Sequence, residues 1–134
     1  GIDKFRYVEG NFIFHISGNY TEKKSSSSIL DDGILREWHE NGELYLEFNM
    51  KNGIKDGFCK KWYDNGQMEI LYHYSRGKLE GKQEKWYSNG FQRGEWNYQD
   101  DKLHGLSKEW NPDGKLKFIK VYDYGTLISE DKSS

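Results

Sequence analysis

One cysteine, Cys59, and one proline, Pro112, occur in 134 residues. A lone cysteine excludes an internal disulfide and points to a reducing compartment. A cytoplasmic location is therefore expected, although a chain that opens on Gly1 leaves room for a removed signal peptide. Apolar residues are scarce at 34%, and no uncharged run approaches the roughly 18 residues of a membrane helix. Charge of one sign is scarce too. Twenty basic residues meet 22 acidic ones, a formal charge of −2. That balance argues against non-specific nucleic-acid binding, which needs a basic stripe. A phosphate-binding loop, a dinucleotide glycine fingerprint and a nucleophile elbow are all missing. The four histidines (His15, His39, His73 and His104) lack metal-ligand spacing, so no metal and no cofactor are expected. Alternation lets Cys59 and His73 lie diagonally on one face, but a Cys–His nucleophile needs an orienting group and an oxyanion site that the pattern lacks.

Aromatics are abundant, at 16% of the chain, and 15 glycines accompany them. That excludes a disordered tail. Both fall on a period. Gly33, Gly57, Gly81 and Gly105 are 24 residues apart, as are Trp38, Trp62, Trp86 and Trp110. Asn41-Gly42, Asn65-Gly66, Asn89-Gly90 and Asp113-Gly114 keep the same spacing, as do Phe48, Tyr72 and Trp96. Met50, Tyr74, Tyr98 and Tyr122 follow it as well. Four independent features on one period define an internal repeat.

Asn-Gly between two alternating runs is a strong hairpin signal. A three-residue loop, Asp64-Asn65-Gly66, pairs Trp62 with Met68 and frees Gly66 for positive φ. A two-residue loop instead pairs Tyr63 with Met68 and sends the apolar set to water. The three-residue loop is the expected one. It gathers Phe58, Lys60 and Trp62 with Met68, Ile70, Tyr72 and Tyr74 on one face. Gly53–Gly57, Gly77–Gly81 and Asp101–Gly105 read as the connections between units. All neighbouring strands should be antiparallel, advancing about 10 Å per unit.

The expected fold is all-β: a single-layer curved antiparallel sheet of stacked hairpin repeats with an irregular N-terminal cap. Residues 1–32 form the cap, with a partial repeat at 4–10 matched to 47–53 and a buried strand at Phe12–Ile16. Its serine-rich stretch at 22–28 is a loop or an exposed strand. Four units follow at 33–56, 57–80, 81–104 and 105–128, then a frayed tail at 129–134.

The run from Gly57 through Trp62-Tyr63, Asn65-Gly66 and Tyr72-His73-Tyr74 to Gly77–Gly81 resembles the MORN repeat. It is closer to the variant form that builds the YwqK-type antitoxin family. The resemblance covers about 33–125 and implies a curved sheet of stacked hairpins with no catalytic residues. It also implies antitoxin- or immunity-like inhibition of a partner protein, or a membrane-associated scaffold. Unit three departs from the pattern with Gln92 and Gly94, and unit four with Lys120 at the aromatic position. These departures are expected to thin the apolar face.

Two surfaces are candidates. The aromatic ladder of Trp38, Trp62, Trp86 and Trp110, with Phe48, Tyr72 and Trp96 beside it, supplies the packing of a one-layer sheet or forms a docking groove. The opposite face should carry His39, Tyr45, Tyr63, Leu71, His73, Tyr87 and Phe91. Tyr63, Tyr87, Phe91 and Arg93 are the expected centre of a partner-binding patch, with His39 and Leu71 around it, since Tyr and Arg favour interface hot spots. The sequence reading is a non-enzymatic protein-binding repeat protein whose partner is a toxin or effector. Its alternatives are a membrane-associated or scaffold module and an accessory region of a larger protein. Only three lysines gather at Lys115–Lys120, too few for a polybasic membrane site. The chain is read as a monomer or an edge-strand dimer.

Overall fold

The computed structural model describes residues 5–8, 11–16, 19–23 and 32–132, the first three segments as backbone strands. The serine-rich stretch expected as a loop or exposed strand lies outside the described residues, apart from Glu22 and Lys23 at a strand end. The strands are β1 (Phe5–Val8), β2 (Asn11–Ile16), β3 (Asn19–Lys23), β4 (Gly33–Trp38), β5 (Leu44–Lys51), β6 (Ile54–Trp62) and β7 (Met68–Ser75). Then come β8 (Lys78–Leu79), β9 (Gly81–Trp86), β10 (Gln92–Gln99), β11 (Lys102–Trp110), β12 (Leu116–Asp123) and β13 (Thr126–Lys132). They form one curved, open antiparallel sheet, with no helix among the described residues.

The strand order is β3-β2-β1-β4-β5-β6-β7-β9-β10-β11-β12-β13, with β8 paired to β7. Sequence order reverses only in the N-terminal block. There β1 fills the slot of a preceding unit's second strand, with Val8 opposite Leu35 as Phe48 is opposite Cys59. The sequence match of Phe5 to Phe48 is therefore three residues out of register. At the other end, Ser129–Lys132 pair with β12, although every residue of β13 is exposed.

The Asn-Gly loops have three residues. Tyr63 N donates to the Gln67 carbonyl at 2.8 Å, and Gly66 N to the Tyr63 carbonyl at 3.0 Å. Gly66 adopts φ 87°, which its missing Cβ permits. Trp62 faces Met68 as the sequence predicts. The next rung is Lys61 opposite Ile70, so Glu69 is an extra residue, a β-bulge. Tyr45, Arg93 and Lys117 are the same extra residue in the other units.

That bulge overturns the expected distribution of faces. Beyond it, Tyr72 stands opposite Cys59 and His73 opposite Phe58. Phe48, Tyr72 and Trp96 therefore share a face with the Cys59 column, the cysteine face. Trp38, Trp62, Trp86 and Trp110 lie on the other, the tryptophan face, opposite Leu44, Met68, Gln92 and Leu116. The two aromatic sets do not form one ladder. Cys59 and His73 are likewise on opposite faces and form no dyad.

The connections between units also differ from expectation. The turns are the residue pairs Asn52-Gly53, Arg76-Gly77 and Asp100-Asp101, all at positive φ. They join Lys51 to Ile54, Ser75 to Lys78 and Gln99 to Lys102, which is two-residue type I′ geometry. Gly57 and Gly105 are not turn residues. They sit inside strands, at bulges where one residue of the partner strand faces three.

Side chains tie the turns across units. Asn41, Asn65 and Asn89 donate to the Asp64, Ser88 and Pro112 carbonyls at 2.9 Å each. The same asparagines accept from Glu43, Gln67 and Phe91 N through Oδ1. At the opposite edge, Asp32, Asp56 and Glu80 carboxylates accept from Asn52, Arg76 and Asp100 N. Each tie is worth roughly 0.5–1.5 kcal/mol. They hold a sheet that has little core: only Leu35 and Cys59 are buried apolar residues among those described, joined on their period by Gln83 and Ser107.

Candidate functional site

The seam between the second and third units differs from the others. Ladder pairing between β7 and β9 covers only Ile70–Lys85 and Leu71–Glu84, because Glu80 interrupts the strand between β8 and β9. Gln83, 1% exposed, fills the gap with its amide. Its Oε1 accepts from His73 N at 2.7 Å, and its Nε2 donates to the carbonyls of His73, Glu80 and Gly81. A side chain has replaced the missing backbone rungs, as the cost of unpaired buried amides requires.

On the cysteine face this seam opens a cleft of about 210 Å³, lined by Tyr72, Leu79, Gln83, Lys85, Trp96 and Tyr98. Gly94 shapes it. A Cβ at Gly94 would collide with Cη2, Cζ2 and Cζ3 of Trp96, so the outer edge of the indole occupies the space over the glycine. Gly94 does not thin the apolar face; it makes room for the larger ring. The Trp96 Nε1 donates to Glu109 at 3.3 Å. Burial pushes the Tyr72, Tyr74 and Tyr98 phenols above their ordinary value, so they stay protonated donors at neutral pH.

Four expected patch residues come together at the Asn-Gly edge of this same seam. The Tyr63 hydroxyl donates to the Trp86 carbonyl at 2.7 Å, and the Tyr87 hydroxyl to the Trp110 carbonyl at 2.8 Å. Tyr87 N donates to the Phe91 carbonyl across the loop. The Arg93 guanidinium lies 5.7 Å from the Tyr87 ring centre. Phe91 is 51% exposed, its ring over Gly114 of the next turn. Arg93, the bulge residue, is exposed, and its charge is felt at the phenols of both Tyr63 and Tyr72.

The other two candidates lie elsewhere. His39 is buried one unit earlier on the same edge, its Nε2 donating to the Trp62 carbonyl and its ring 4.8 Å from Tyr45. Leu71 is on the tryptophan face, opposite Lys60 and Glu84. The bulge separated it from the tyrosines. Lys85, Leu79 and Gln83 were missed as site residues. Their only signal was that Lys61 and Lys85 recur on the period between column aromatics.

Burial pushes the Cys59 thiol up despite Lys55 and Lys61 nearby, which makes it a poor nucleophile. No cluster of His, Cys, Asp or Glu among the described residues is suited to a metal. Among the described residues no helix is long and apolar enough to cross a membrane. An open cleft of about 520 Å³ between two type I′ turns, at Asn52 and Arg76, has mixed charge.

Fold and surface define a one-sheet β-hairpin repeat protein of the binding or scaffold type. Residues 31–52, 55–76 and 103–124 match the model of the MORN repeat variant, so the chain is similar to that repeat at three places. The intervening unit is outside the matched segments, and it is the one that carries Gln83, Gly94 and Asp101. No curated protein and no solved structure matches the chain.

Proposed function

We propose that this is a non-enzymatic binding protein of antitoxin- or immunity-like type, which inhibits a partner protein by occluding it. The Asn-Gly edge of the second and third units makes the contact. The observation that carries this reading is the half-exposed Phe91 ring beside Arg93 and Tyr87, on a turn tied to the next by Asn89 and the Tyr87 hydroxyl. A rigid aromatic anchor beside an arginine is a typical binding hot spot. Tying the turn in advance lowers the ordering cost of association.

The test is a tagged pull-down from host lysate, with protein and lipid analysed in one eluate. The reading expects one dominant protein at near-equal stoichiometry, lost when Phe91→Ala and Arg93→Ala are combined at an unchanged urea midpoint. Lipid with many membrane proteins and no dominant partner refutes it in favour of the scaffold alternative.

A further inference from the structure

We infer that His104 is a proton-operated latch on the C-terminal strand. As neutral imidazole it holds the β12–β13 turn closed; as imidazolium it releases the turn and pairs with Asp123.

The repeat carries the inference. Three type I′ turns have their first amide capped by a carboxylate 20 residues upstream. Asn52 N donates to Asp32 at 3.1 Å, Arg76 N to Asp56 at 3.0 Å and Asp100 N to Glu80 at 2.9 Å. In the fourth unit the cap is a histidine. Tyr124 N donates to His104 Nδ1 at 3.2 Å. A backbone N–H only donates, so this Nδ1 is the bare nitrogen of a neutral ring. The residue before the turn explains the exchange. Lys51, Ser75 and Gln99 precede the other turns, but Asp123 precedes this one. Its Oδ1 lies 3.6 Å from the same Nδ1, where a capping carboxylate would meet a like charge.

One nitrogen thus has two rival partners. Bare, it accepts from Tyr124. Protonated, it carries a hydrogen of its own, and the Asp123 carboxylate becomes its partner. Imidazole is the side chain that changes charge between about pH 5 and 8. Asp123 is the charged group that faces it from β12, and the turn adds the Tyr124 ring, 4.2 Å between centres. From β10 the neutral Asn97 lies across this stretch of β11. The nearby turn carboxylates are engaged elsewhere, Asp100 with Lys78 and Asp101 with the Leu79 amide.

The two partners hold different elements. The Asp123 pair joins β11 to β12, which are already paired over six rungs from Gly105–Tyr122 to Trp110–Leu116. The Tyr124 bond joins β11 to the turn that starts β13. That strand pairs with β12 alone, and all its residues are exposed, so it opens at little cost. Tyr124 also holds φ 44°, a left-handed backbone unfavourable for a residue with a Cβ. Without the cap, the Gly125 N bond to the Leu103 carbonyl is left to hold the turn. The closed turn needs the bare nitrogen, so β13 is closed above the imidazole range and loosens as pH falls through it. One hydrogen bond changes the open population about three- to tenfold.

The experiment follows amide hydrogen exchange of the isotope-labelled full chain by NMR, with the His104 ring shifts reporting its proton. Protection at Tyr124 and along Thr126–Lys132 should fall about three- to tenfold, with the midpoint of the ring. Asn52, Arg76 and Asp100, capped by carboxylates, should keep theirs over the same range. Asp123→Asn should lower the ring midpoint, since the charged ring loses its acceptor. His104→Glu with Asp123→Gln recreates the Glu80–Gln99 arrangement and should keep Tyr124 protected throughout. Constant protection at Tyr124 while the ring titrates, an equal fall at all four turns, or an unchanged midpoint in Asp123→Asn overturns the inference. A fall that persists in the double variant overturns it as well.

Discussion

The seam between β7 and β9 and the seam between β10 and β11 solve one problem in two ways. At β10–β11, backbone rungs run on both sides of a bulge at Gly105, from Gly94–Glu109 to Gln99–Lys102. At β7–β9 the ladder shrinks to two rungs, and the Gln83 amide bonds the freed groups of His73, Glu80 and Gly81. The period is kept while the means of keeping it changes. Where a side chain holds the sheet, the surface above it opens into a cleft. The divergent unit is thus the one that carries the candidate site.

The sharpest way to break this contrast is Gln83→Ala. It strands the half-buried His73 N and takes a donor from the Glu80 and Gly81 carbonyls, and an unsatisfied group costs about 1–3 kcal/mol. We expect a loss of roughly 3 kcal/mol by urea denaturation. Ser107→Ala, at the same place beside the full ladder, should cost under about 1 kcal/mol. Equal losses would erase the distinction.

Gly94→Val comes next. Its side chain must displace the Trp96 indole, and overpacking of this kind costs about 1–3 kcal/mol. Trp96 fluorescence should shift with it. Ile70 already fills the corresponding place in unit two beside the smaller Tyr72, so Ile70→Val should cost about 1 kcal/mol.

Asn65→Asp is milder. The carboxylate still accepts from Gln67 N but cannot donate to the Ser88 carbonyl. A loss of about 1 kcal/mol is expected, against about zero for Asp113→Asn. Asp113 already works by its acceptor alone, taking a bond from Lys115 N.

Near neutrality, pH should matter least. Cys59, Tyr63, Tyr72, Tyr74 and Tyr98 all have folded values raised, chiefly by burial. In the window between unfolded and folded values, the unfolded chain has lost protons that the folded chain keeps. Stability then falls as pH rises. The urea midpoint should be flat from neutral to about pH 8 and decline above about pH 9. A midpoint that rises with alkalinity contradicts this.

The fold was largely legible in the sequence. The 24-residue period, the Asn-Gly loops and the Trp62–Met68 pair needed only glycine, asparagine and alternation. The second set of turns was not, because Arg76-Gly77 and Asp100-Asp101 lack the residue pair that marks a type I′ turn. There the backbone is held by Asp56 and Glu80, 20 residues upstream in each case. The bulge at Glu69 was hidden too: one extra residue leaves no mark in the alternation but flips everything after it. Hence Tyr63, Tyr87 and Arg93 lie at one edge, while Leu71 was given the wrong face.

Every surface assignment depends on that flip, so the most direct test is the register itself. Nuclear Overhauser contacts across β6 and β7 should join Cys59 to Tyr72 and the Phe58 ring to His73, whose centres lie 4.8 Å apart. If Tyr72 instead stands opposite Phe58 and His73 opposite Gly57, the bulge is absent, and the cleft and its patch are on the wrong face.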